Sequence, residues 1–575
     1  MAVSDLRTDQ IPAGQLQYDV CLIGAGAAGI SIAQALAGSR FSICLLESGS
    51  GSAEAETQRL YEGEVAGHSM TMDTGRYRVL GGSTSRWTGR CGKLDAIDFQ
   101  ARAWVPHSGW PIGLEDLEPY YEAARAVCGF RRAWQDDSLA ASALGLEPIT
   151  DPRLRNFIWR YAPLGSRLYR NWGVEYDAVL KSAENIDAVL HANVTRWHAP
   201  AGGKRVEAVT VSTLEGKQAV IKANLFVLCA GGLESARLLL SSAEDVPGGL
   251  GAAMPMVGRF FMQHPRGSIG RLHTNASAAK VLQDRLAIFA TRMGLQYESG
   301  FALSAKEQQE SELLNASVIL TYEADPDCGW EAFKELAGIA PDEGARGYGR
   351  SGAALRLARD PGSAVSNLWR RGWQKRHAAF PVRGIDLVID LEQKPDPESR
   401  VTLCDDRDRL GMRRARVAWR VNEEERRTSL RFAEILSDHF EATGIGHVEK
   451  ADWLFDQGSI GDELSGTYHH IATLRMSEGP ESGVVDANCQ VHGVDNLFVA
   501  SCATFSTGGH VNPTFTIVAL ALRLADHIRD RLVGERAGRR DERGLEDRCE
   551  QFADGEQAPG QGAHQTAWQK TNFSQ

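Results

Sequence analysis

The chain has no cluster of cysteines and no long apolar run. Its 575 residues include ten cysteines, which are scattered without a CxxC pair, so we expect neither a disulfide framework nor a metal site. No stretch reaches the roughly 20 consecutive apolar residues of a membrane helix. Residues 1–14 lack the basic start and apolar core of a signal peptide. We therefore expect a cytoplasmic protein without a membrane span.

Concentrated positive charge is also missing. The formal net charge is −11, and no dense run of Lys and Arg is present, which argues against a nucleic-acid partner. A hydrophobic share of 43% with 24% charged residues is typical of a globular protein. A chain of this length exceeds one ordinary hydrophobic core. We expect two domains, or one two-lobed fold.

Residues 18–49, YDVCLIGAGAAGISIAQALAGSRFSICLLESG, contain a nucleotide-binding pattern. An apolar strand leads into Gly24-x-Gly26-x-x-Gly29, a helix follows, and a second strand ends at Glu47. The glycines allow a tight turn, close approach to a pyrophosphate, and packing of helix on strand. The acid is placed to accept a hydrogen bond from a ribose hydroxyl. The pattern predicts a Rossmann-like dinucleotide-binding domain of α/β class.

This pattern alone leaves NAD and FAD open, but two later segments favour FAD. In RVLGGSTSRWTGRCG, residues 78–92, a glycine pair and small hydroxyl residues form a loop that can lie against a flat ring. In ANLFVLCAGGLESARLLL, residues 223–240, a buried strand meets a glycine pair and a helix. We interpret the second segment as a strand that returns to the nucleotide-binding sheet.

Several further motifs carry a family resemblance. GGSTSRW, GRFFMQHP at 258–265, SGTYHHIATLRM at 465–476 and the closing segment GVDNLFVASCATFSTGGHVNPTFTIVALALRLADHI follow the N-terminal pattern in order. Over residues 18–532 the chain resembles the glucose-methanol-choline (GMC) family of FAD-dependent alcohol oxidoreductases. The stretch at 90–112 is most similar to bacterial pyranose-oxidase-like and aminoglycoside 6′-dehydrogenase-like members.

The resemblance implies a domain organisation. A discontinuous FAD-binding domain, of the Rossmann-like type found in glutathione reductase, spans 16–265 and 465–533, with part of 95–190 contributing to the substrate side. Residues 266–464 form an α+β substrate-binding domain built on a β-sheet. Residues 534–575 are polar and are predicted to form a flexible tail.

The chemistry of alcohol oxidation requires a base for the hydroxyl proton, and histidine suits that role because its pKa lies near neutral pH. A neutral amide can position the alcohol oxygen. The family pattern places the base at His469 and its partner at Asn512. His470 is an adjacent competitor for the base, His510 is not expected to contact substrate, and Ala472 stands where the family usually has glycine.

The resemblance also implies the residues that surround FAD. Arg86 replaces a histidine that bonds covalently to flavin in some relatives, so we expect non-covalent FAD. The implied cofactor-binding residues are Gly24, Gly26, Ala27, Ala28, Gly29, Glu47, Ser48, Gly81, Gly82, Ser83, Ser85, Val194, Ala230, Gly231, Ser501, Asn512, Pro513 and Thr514.

We expect oxidation of an alcohol to a carbonyl, with proton abstraction by His469 and hydride transfer to flavin N5. A sugar, glycoside or polyol is the preferred substrate, with weak support from thirteen tryptophans that can stack on sugar faces. The alternatives are a non-sugar alcohol, a flavin enzyme that uses the His/Asn pair for non-redox proton transfer, and a non-catalytic nucleotide-binding protein. The electron acceptor, O2, a quinone or a protein, stays open, as does the oligomeric state.

Overall fold

The structure is a computed structural model. It describes residues 3–8, 17–130, 137, 141–142, 146, 149–163, 171–251, 254–286, 288–290, 296–339, 349–374, 378–456, 458 and 460–553. The tail prediction falls partly on residues 554–575, which lie outside the described residues.

The strands of the described chain are β1 (Ser4–Asp5), β2 (Gln17–Ile23), β3 (Ile43–Leu46), β4 (Glu64–Gly67), β5 (Arg90–Cys91), β6 (Leu154–Tyr161), β7 (Ile186–Leu190), β8 (Asn193–His198), β9 (Ala208–Ser212), β10 (Gln218–Leu228), β11 (Arg266–Thr274), β12 (Ile288–Ala290), β13 (Gln296–Leu303), β14 (Ala316–Ala324), β15 (Val382–Leu391), β16 (Arg400–Arg407), β17 (Arg413–Trp419), β18 (Gly446–Lys450) and β19 (Leu497–Val499).

The α-helices of the described chain are α1 (Ala27–Leu36), α2 (Ala55–Gln58), α3 (Ala96–Phe99), α4 (Leu114–Val127), α5 (Trp172–Glu175), α6 (Asp177–Ser182), α7 (Gly231–Asp245), α8 (Ala276–Arg285), α9 (Ala305–Glu310), α10 (Gly329–Leu336), α11 (Gly349–Arg359), α12 (Pro361–Trp369), α13 (Glu423–Ala442) and α14 (Thr514–Ala553).

The first sheet is mostly parallel. Its order is β1-β7-β3-β2-β10-β9-β8, and β19 pairs with β10. Strands β3, β2, β10 and β19 run parallel to one another, and residues Val20 to Ile23 of β2 are all buried. A strand covered on both faces needs such a continuous apolar run. The prediction that the segment at 223–240 returns to the nucleotide-binding sheet is confirmed, because β10 pairs with β2.

The second sheet is antiparallel and joins distant parts of the chain. Its order is β18-β11-β15-β14-β13-β6-β5, and β12 pairs with β13. The amphipathic helix α13 covers one face, where Phe432, Leu436 and Phe440 pack with Leu387 and Val318. A third sheet has the order β16-β17-β4. The mixed α and β structure predicted for residues 266–464 is confirmed.

The described chain divides into two compact units, with the division between Ala525 and Asp526. Helix α14 begins at Thr514, directly after the motif Asn512-Pro513, and proline at the preceding position suits such a start. The helix continues to Ala553, so part of the segment at 534–575 is helical. The domain limits and the flexible tail stay predictions. In the described part of the chain, no helix is long and apolar enough to cross a membrane.

Candidate active site

The predicted cofactor residues follow strands that end at one edge of the first sheet. Gly24 follows β2, Glu47 follows β3, Ala230 and Gly231 follow β10, and Ser501 lies just after β19. Because these four strands are parallel neighbours, their carboxyl ends meet. Ligands of open parallel sheets bind at this edge. The topology therefore brings together residues that are up to 477 positions apart, from Gly24 to Ser501.

The turn between β2 and α1 needs glycine for two different reasons. Gly24 has φ +112°, and a Cβ atom there would lie 2.7 Å from the carbonyl oxygen of Cys229. A Cβ atom on Gly29 would lie 2.0 Å from the carbonyl oxygen of Gly24. At Gly26, in contrast, a Cβ atom would meet nothing within 4 Å. The side of the turn at Gly26 is therefore open, and the N-terminus of α1 begins beside it.

Glu47 is bound to the same turn. Its carboxylate accepts hydrogen bonds from the backbone N–H of Ala25 at 3.1 Å, from that of Gly49 at 2.9 Å, and from the Ser48 hydroxyl at 3.3 Å. Burial raises the pKa of Glu47, although these three hydrogen bonds oppose the shift. Glu47 and Ser48 both line the central cavity. The acid thus stabilises the glycine turn and borders the space predicted for a ribose.

The loop at 81–85 lies against this turn. Gly81 has φ +96° and donates its N–H to the Ala25 carbonyl at 2.9 Å. A Cβ atom on Gly82 would lie 2.9 Å from Cα of Gly26. Gly82 and Ser83 line the cavity, whereas Gly81 and Ser85 do not. The loop is therefore placed beside the nucleotide turn, and its contact with a flat ring stays a prediction.

A cavity of about 850 Å³ extends from the glycine turn to the second sheet. Most predicted cofactor residues line it, and Gly29, Gly81 and Ser85 lie behind its surface. The predicted residues on its wall are Gly24, Gly26, Ala27, Ala28, Glu47, Ser48, Gly82, Ser83, Val194, Ala230, Gly231, Ser501, Asn512, Pro513 and Thr514.

Two arginines stand beside the nucleotide end of the cavity. The guanidinium groups of Arg76 and Arg78 lie 4.0 and 4.4 Å from the ring centre of Tyr61. Arg78 donates to Glu234 at 2.6 Å. Nη1 of Arg76 is buried without a hydrogen-bond acceptor, and its nearest carboxylate oxygen, on Glu234, is 3.8 Å away. This unmet donor suits an anionic ligand.

At the other end of the cavity, His469 meets Asn512. Nδ2 of Asn512 lies 3.2 Å from Nε2 of His469, and both side chains line the cavity. His469 belongs to the loop between β18 and β19, and Asn512 to the loop before α14. Two loops that are 43 residues apart therefore present an imidazole and a carboxamide to one space.

Two groups hold the other side of the His469 ring. Its Nδ1 lies 2.8 Å from Nδ1 of His264 and 3.0 Å from the Thr467 hydroxyl. Burial lowers the pKa of His469 well below its usual range, and the neighbouring His264 and Arg266 lower it further. The ring is partly accessible where it lines the cavity and is enclosed elsewhere. A neutral imidazole is the form that accepts a proton.

His470 and His510 have different surroundings. The ring of His470 is stacked on Phe261 with 5.9 Å between centres, and burial lowers its pKa to about 3. His470 lines the cavity, but its Nε2 has no hydrogen-bond partner. His510 is 2% exposed, packs on the edge of Phe157 at 4.5 Å, and does not line the cavity. That His510 does not contact the substrate stays a prediction.

Ala472 occupies a backbone conformation that favours glycine. Its φ is +70°, in the left-handed region where a side chain is strained. It stands at the position where the family pattern has glycine, and it is fully buried. Its N–H donates to the Cys502 carbonyl at 3.0 Å. The alanine is thus accommodated without loss of the turn that follows His469.

A polar wall covers the His469 end of the cavity, and sequence reasoning missed it. We use this name for Arg90, Tyr161, Arg266 and Glu298, which line the cavity, together with Asp390, which pairs with both arginines but does not line it. Tyr161 donates to Glu298 at 3.0 Å, and Nε of Arg90 lies 2.8 Å from the same carboxylate.

The second carboxylate of the polar wall joins its two arginines. Asp390 accepts from Arg90 at 2.8 Å and from Arg266 at 2.6 Å. Burial acts to raise the pKa of Asp390, but the two guanidinium groups outweigh burial and lower it. With two arginines and two carboxylates the polar wall is balanced in charge. Nη2 of Arg90 is buried without a hydrogen-bond partner.

His264 was also missed as a functional residue. The motif GRFFMQHP contains it, but the motif alone assigns no role to the histidine. The residues of the polar wall lie on strands β5, β6, β11, β13 and β15. No local spacing predicts which strands of an antiparallel sheet become neighbours.

Comparisons with known proteins agree with this architecture. Residues 395–521 match the family model described as GMC oxidoreductase. The chain is 26% identical to 2-methyl-1,2-propanediol dehydrogenase of Mycolicibacterium austroafricanum, over 89% of this chain and 95% of the relative. It is 25% identical to paromamine 6′-oxidase of Streptomyces fradiae, over 90% of this chain and 92% of the relative.

Solved structures share the fold. Pyridoxine 4-oxidase from Mesorbium loti has a TM-score of 0.54 at 17% identity, covering 88% of this chain and 98% of that one. A formate oxidase of Aspergillus oryzae, studied for its FAD modification, has a TM-score of 0.52 at 16% identity, covering 90% of this chain and 98% of that one.

The fold is that of an FAD-binding α/β domain combined with a substrate-binding sheet domain. The chain is similar to GMC oxidoreductases, whose family model matches residues 395–521. The family resemblance and the fold class predicted from the sequence are thereby confirmed, and FAD is the cofactor of this family.

Proposed function

We propose that this protein is an FAD-dependent oxidoreductase that oxidises an alcohol to a carbonyl. The observation that carries the proposal is the 3.2 Å approach of Asn512 to His469 in a cavity that also borders the glycine turn. In the reaction, the hydroxyl oxygen loses a proton and the carbon loses a hydride with its two electrons. When bound, FAD supplies the acceptor for that hydride.

His469 acts as the general base in this proposal. Its pKa is lowered mainly by burial, so the ring is neutral at working pH and Nε2 can accept the hydroxyl proton. Asn512 donates an N–H to the alcohol oxygen and orients it beside Nε2. An amide positions the substrate without adding a charge that would change the basicity of the imidazole.

The residues present fit FAD. The open side of Gly26 and the N-terminus of α1 suit a pyrophosphate, and Arg76 and Arg78 add positive charge to the lining of the same cavity. We propose non-covalent binding, because the exposed Arg86 occupies the place of the histidine that forms a covalent bond in some relatives. Release of intact flavin on acid precipitation tests this point.

We propose a sugar, glycoside or polyol as the substrate. The polar wall offers a carboxylate, a phenol and guanidinium groups at the His469 end of the cavity, and a hydroxyl-rich molecule can use such groups. Its balanced charge favours a neutral substrate. The relatives include a 2-methyl-1,2-propanediol dehydrogenase and a paromamine 6′-oxidase. A non-sugar alcohol is the alternative, and the electron acceptor is O2, a quinone or a protein.

Anaerobic flavin reduction tests the function. The purified protein is expected to be yellow and to bleach when mixed with a substrate from a panel of sugars, glycosides, polyols and simple alcohols. Reoxidation by O2 or by a quinone dye then identifies the acceptor. If the flavin stays oxidised while product forms, the protein catalyses a non-redox proton transfer. If neither bleaching nor product occurs across the panel, the proposal fails.

A further inference from the structure

His264 contacts both loops of the candidate site. It is the last residue but one of the motif GRFFMQHP, it lies two positions before β11, and it is 1% exposed. Its Nδ1 lies 2.8 Å from Nδ1 of His469, and its Nε2 lies 3.1 Å from the carbonyl oxygen of Gly508. The ring therefore bridges the loop of the base and the loop of Asn512.

The hydrogen bond to Gly508 determines where the His264 proton resides. A carbonyl oxygen only accepts hydrogen bonds, so Nε2 of His264 must carry the hydrogen. Burial lowers the pKa of His264 to about 4, so the ring is neutral near pH 7. Its Nδ1 then has a lone pair and acts as an acceptor toward His469.

Thr467 also places the hydrogen of the His469 ring on Nδ1. Its hydroxyl donates to the carbonyl oxygen of His264 at 2.9 Å, so its oxygen is left to accept from Nδ1 of His469 at 3.0 Å. Both neighbours of this Nδ1 are thus acceptors. The hydrogen of the neutral His469 ring lies on Nδ1, and Nε2 carries the lone pair toward Asn512.

We propose that His264 is a positioning residue that fixes His469 as its Nδ1–H tautomer and so keeps Nε2 free to take the substrate proton. The inference rests on the proposed function, in which His469 is the base. The other tautomer of His469 would present an N–H to the alcohol and would not accept its proton.

Glycine at position 508 makes the contact possible. A Cβ atom there would lie 3.2 Å from Nε2 of His264 and 2.5 Å from Cδ1 of Ile471. A side chain there would crowd the His264 ring and the Ile471 side chain. The Gly508 carbonyl fixes the hydrogen of His264 on Nε2. The Nδ1 of His264 that remains then accepts the Nδ1–H of His469.

Two variants of similar size test the proposal. His264→Leu removes the acceptor, whereas His264→Asn retains an oxygen near the position of Nδ1. With saturating substrate we expect His264→Leu to slow anaerobic flavin reduction about 10-fold or more, since part of a general-base contribution of about 10²–10⁴-fold is lost. His264→Asn should recover much of the rate. Equal rates for His264→Leu and the unchanged protein would overturn the proposal.

Histidine-selective ¹⁵N NMR of the holoenzyme reads the tautomer directly. The signals of His469 are assigned by their disappearance in His469→Gln. We expect a protonated Nδ1 and an unprotonated Nε2 in the unchanged protein, and a mixture in His264→Leu. A protonated Nε2 in the unchanged protein would refute the inference even if His264→Leu did not fold. Normal flavin reduction by His469→Gln would refute the role of His469 as the base, whereas absence of flavin reduction in the unchanged protein would refute the proposed function; both outcomes leave the tautomer readout intact.

Discussion

At the scale of single residues, His469 and His510 stand in different positions relative to the cavity. Only His469 lines it. We expect His469→Ala to slow anaerobic flavin reduction by about 100-fold or more, because a general base contributes on the order of 10²–10⁴-fold. The flavin content should remain unchanged, since the glycine turn lies at the far end of the cavity. Stopped-flow absorbance of bound flavin measures the rate.

The matched control replaces the other histidine. His510→Ala should retain far more of the rate per bound flavin, because His510 packs on Phe157 behind the cavity. A loss in His510→Ala that equals the loss in His469→Ala would show that the two loops have been assigned the wrong roles.

The residues of the site differ in how far the sequence predicts them. His469 and Asn512 follow from the spacing of two family motifs, and their contact is a consequence of the fold. His264 and the polar wall depend on tertiary neighbours instead. Arg90 meets Asp390 across 300 positions, and no spacing in the sequence predicts that pair. The charge balance around the cavity is visible only after folding.

At the scale of elements, local signals predict the nucleotide-binding part well. An apolar run, a glycine turn and an acid after the next strand predict β2, α1, β3 and Glu47, and all are found in this order. The second sheet is less predictable, because β6, which lies far earlier in the sequence, pairs with β13, and β5 pairs with β6. Antiparallel pairing over such separations depends on side-chain packing that periodicity does not encode.

The turn between β2 and α1 yields a prediction about the cofactor. Gly26→Val should fold normally, because a Cβ atom there meets nothing within 4 Å, yet its side chain would occupy the open face of the turn. We expect the flavin content of the purified protein to fall about 10-fold or more, since backbone N–H groups must approach the pyrophosphate closely. Absorbance of flavin relative to protein measures the content.

Gly51→Val is the matched control for this turn. A Cβ atom on Gly51 also meets nothing within 4 Å, but Gly51 is exposed and does not line the cavity. Its flavin content should equal that of the unchanged protein. Full flavin content in Gly26→Val would mean that the cofactor does not approach the turn.

At the scale of the whole molecule, buried histidines make stability depend on pH. Burial lowers the pKa of His264 to about 4 and that of His470 to about 3, whereas an unfolded histidine titrates near pH 6.5. Below that pH the unfolded chain binds protons that the folded protein does not. The free energy of unfolding is therefore not reduced by these histidines above about pH 6.5. Between about pH 6.5 and pH 4 it decreases by up to about 1.4 kcal/mol per pH unit for each histidine.

His470→Phe should reduce this acid sensitivity. The new ring can stack on Phe261 as the imidazole does at 5.9 Å, and it also removes a buried nitrogen that lacks a partner. Melting temperatures between pH 7 and pH 4, measured with excess FAD, should fall less steeply for this variant. His447→Gln changes an exposed histidine and should follow the unchanged protein. Burial also lowers the pKa of His264 and His469, so the slope should be reduced and not abolished. A slope that stayed the same in His470→Phe would assign the acid sensitivity to other buried groups.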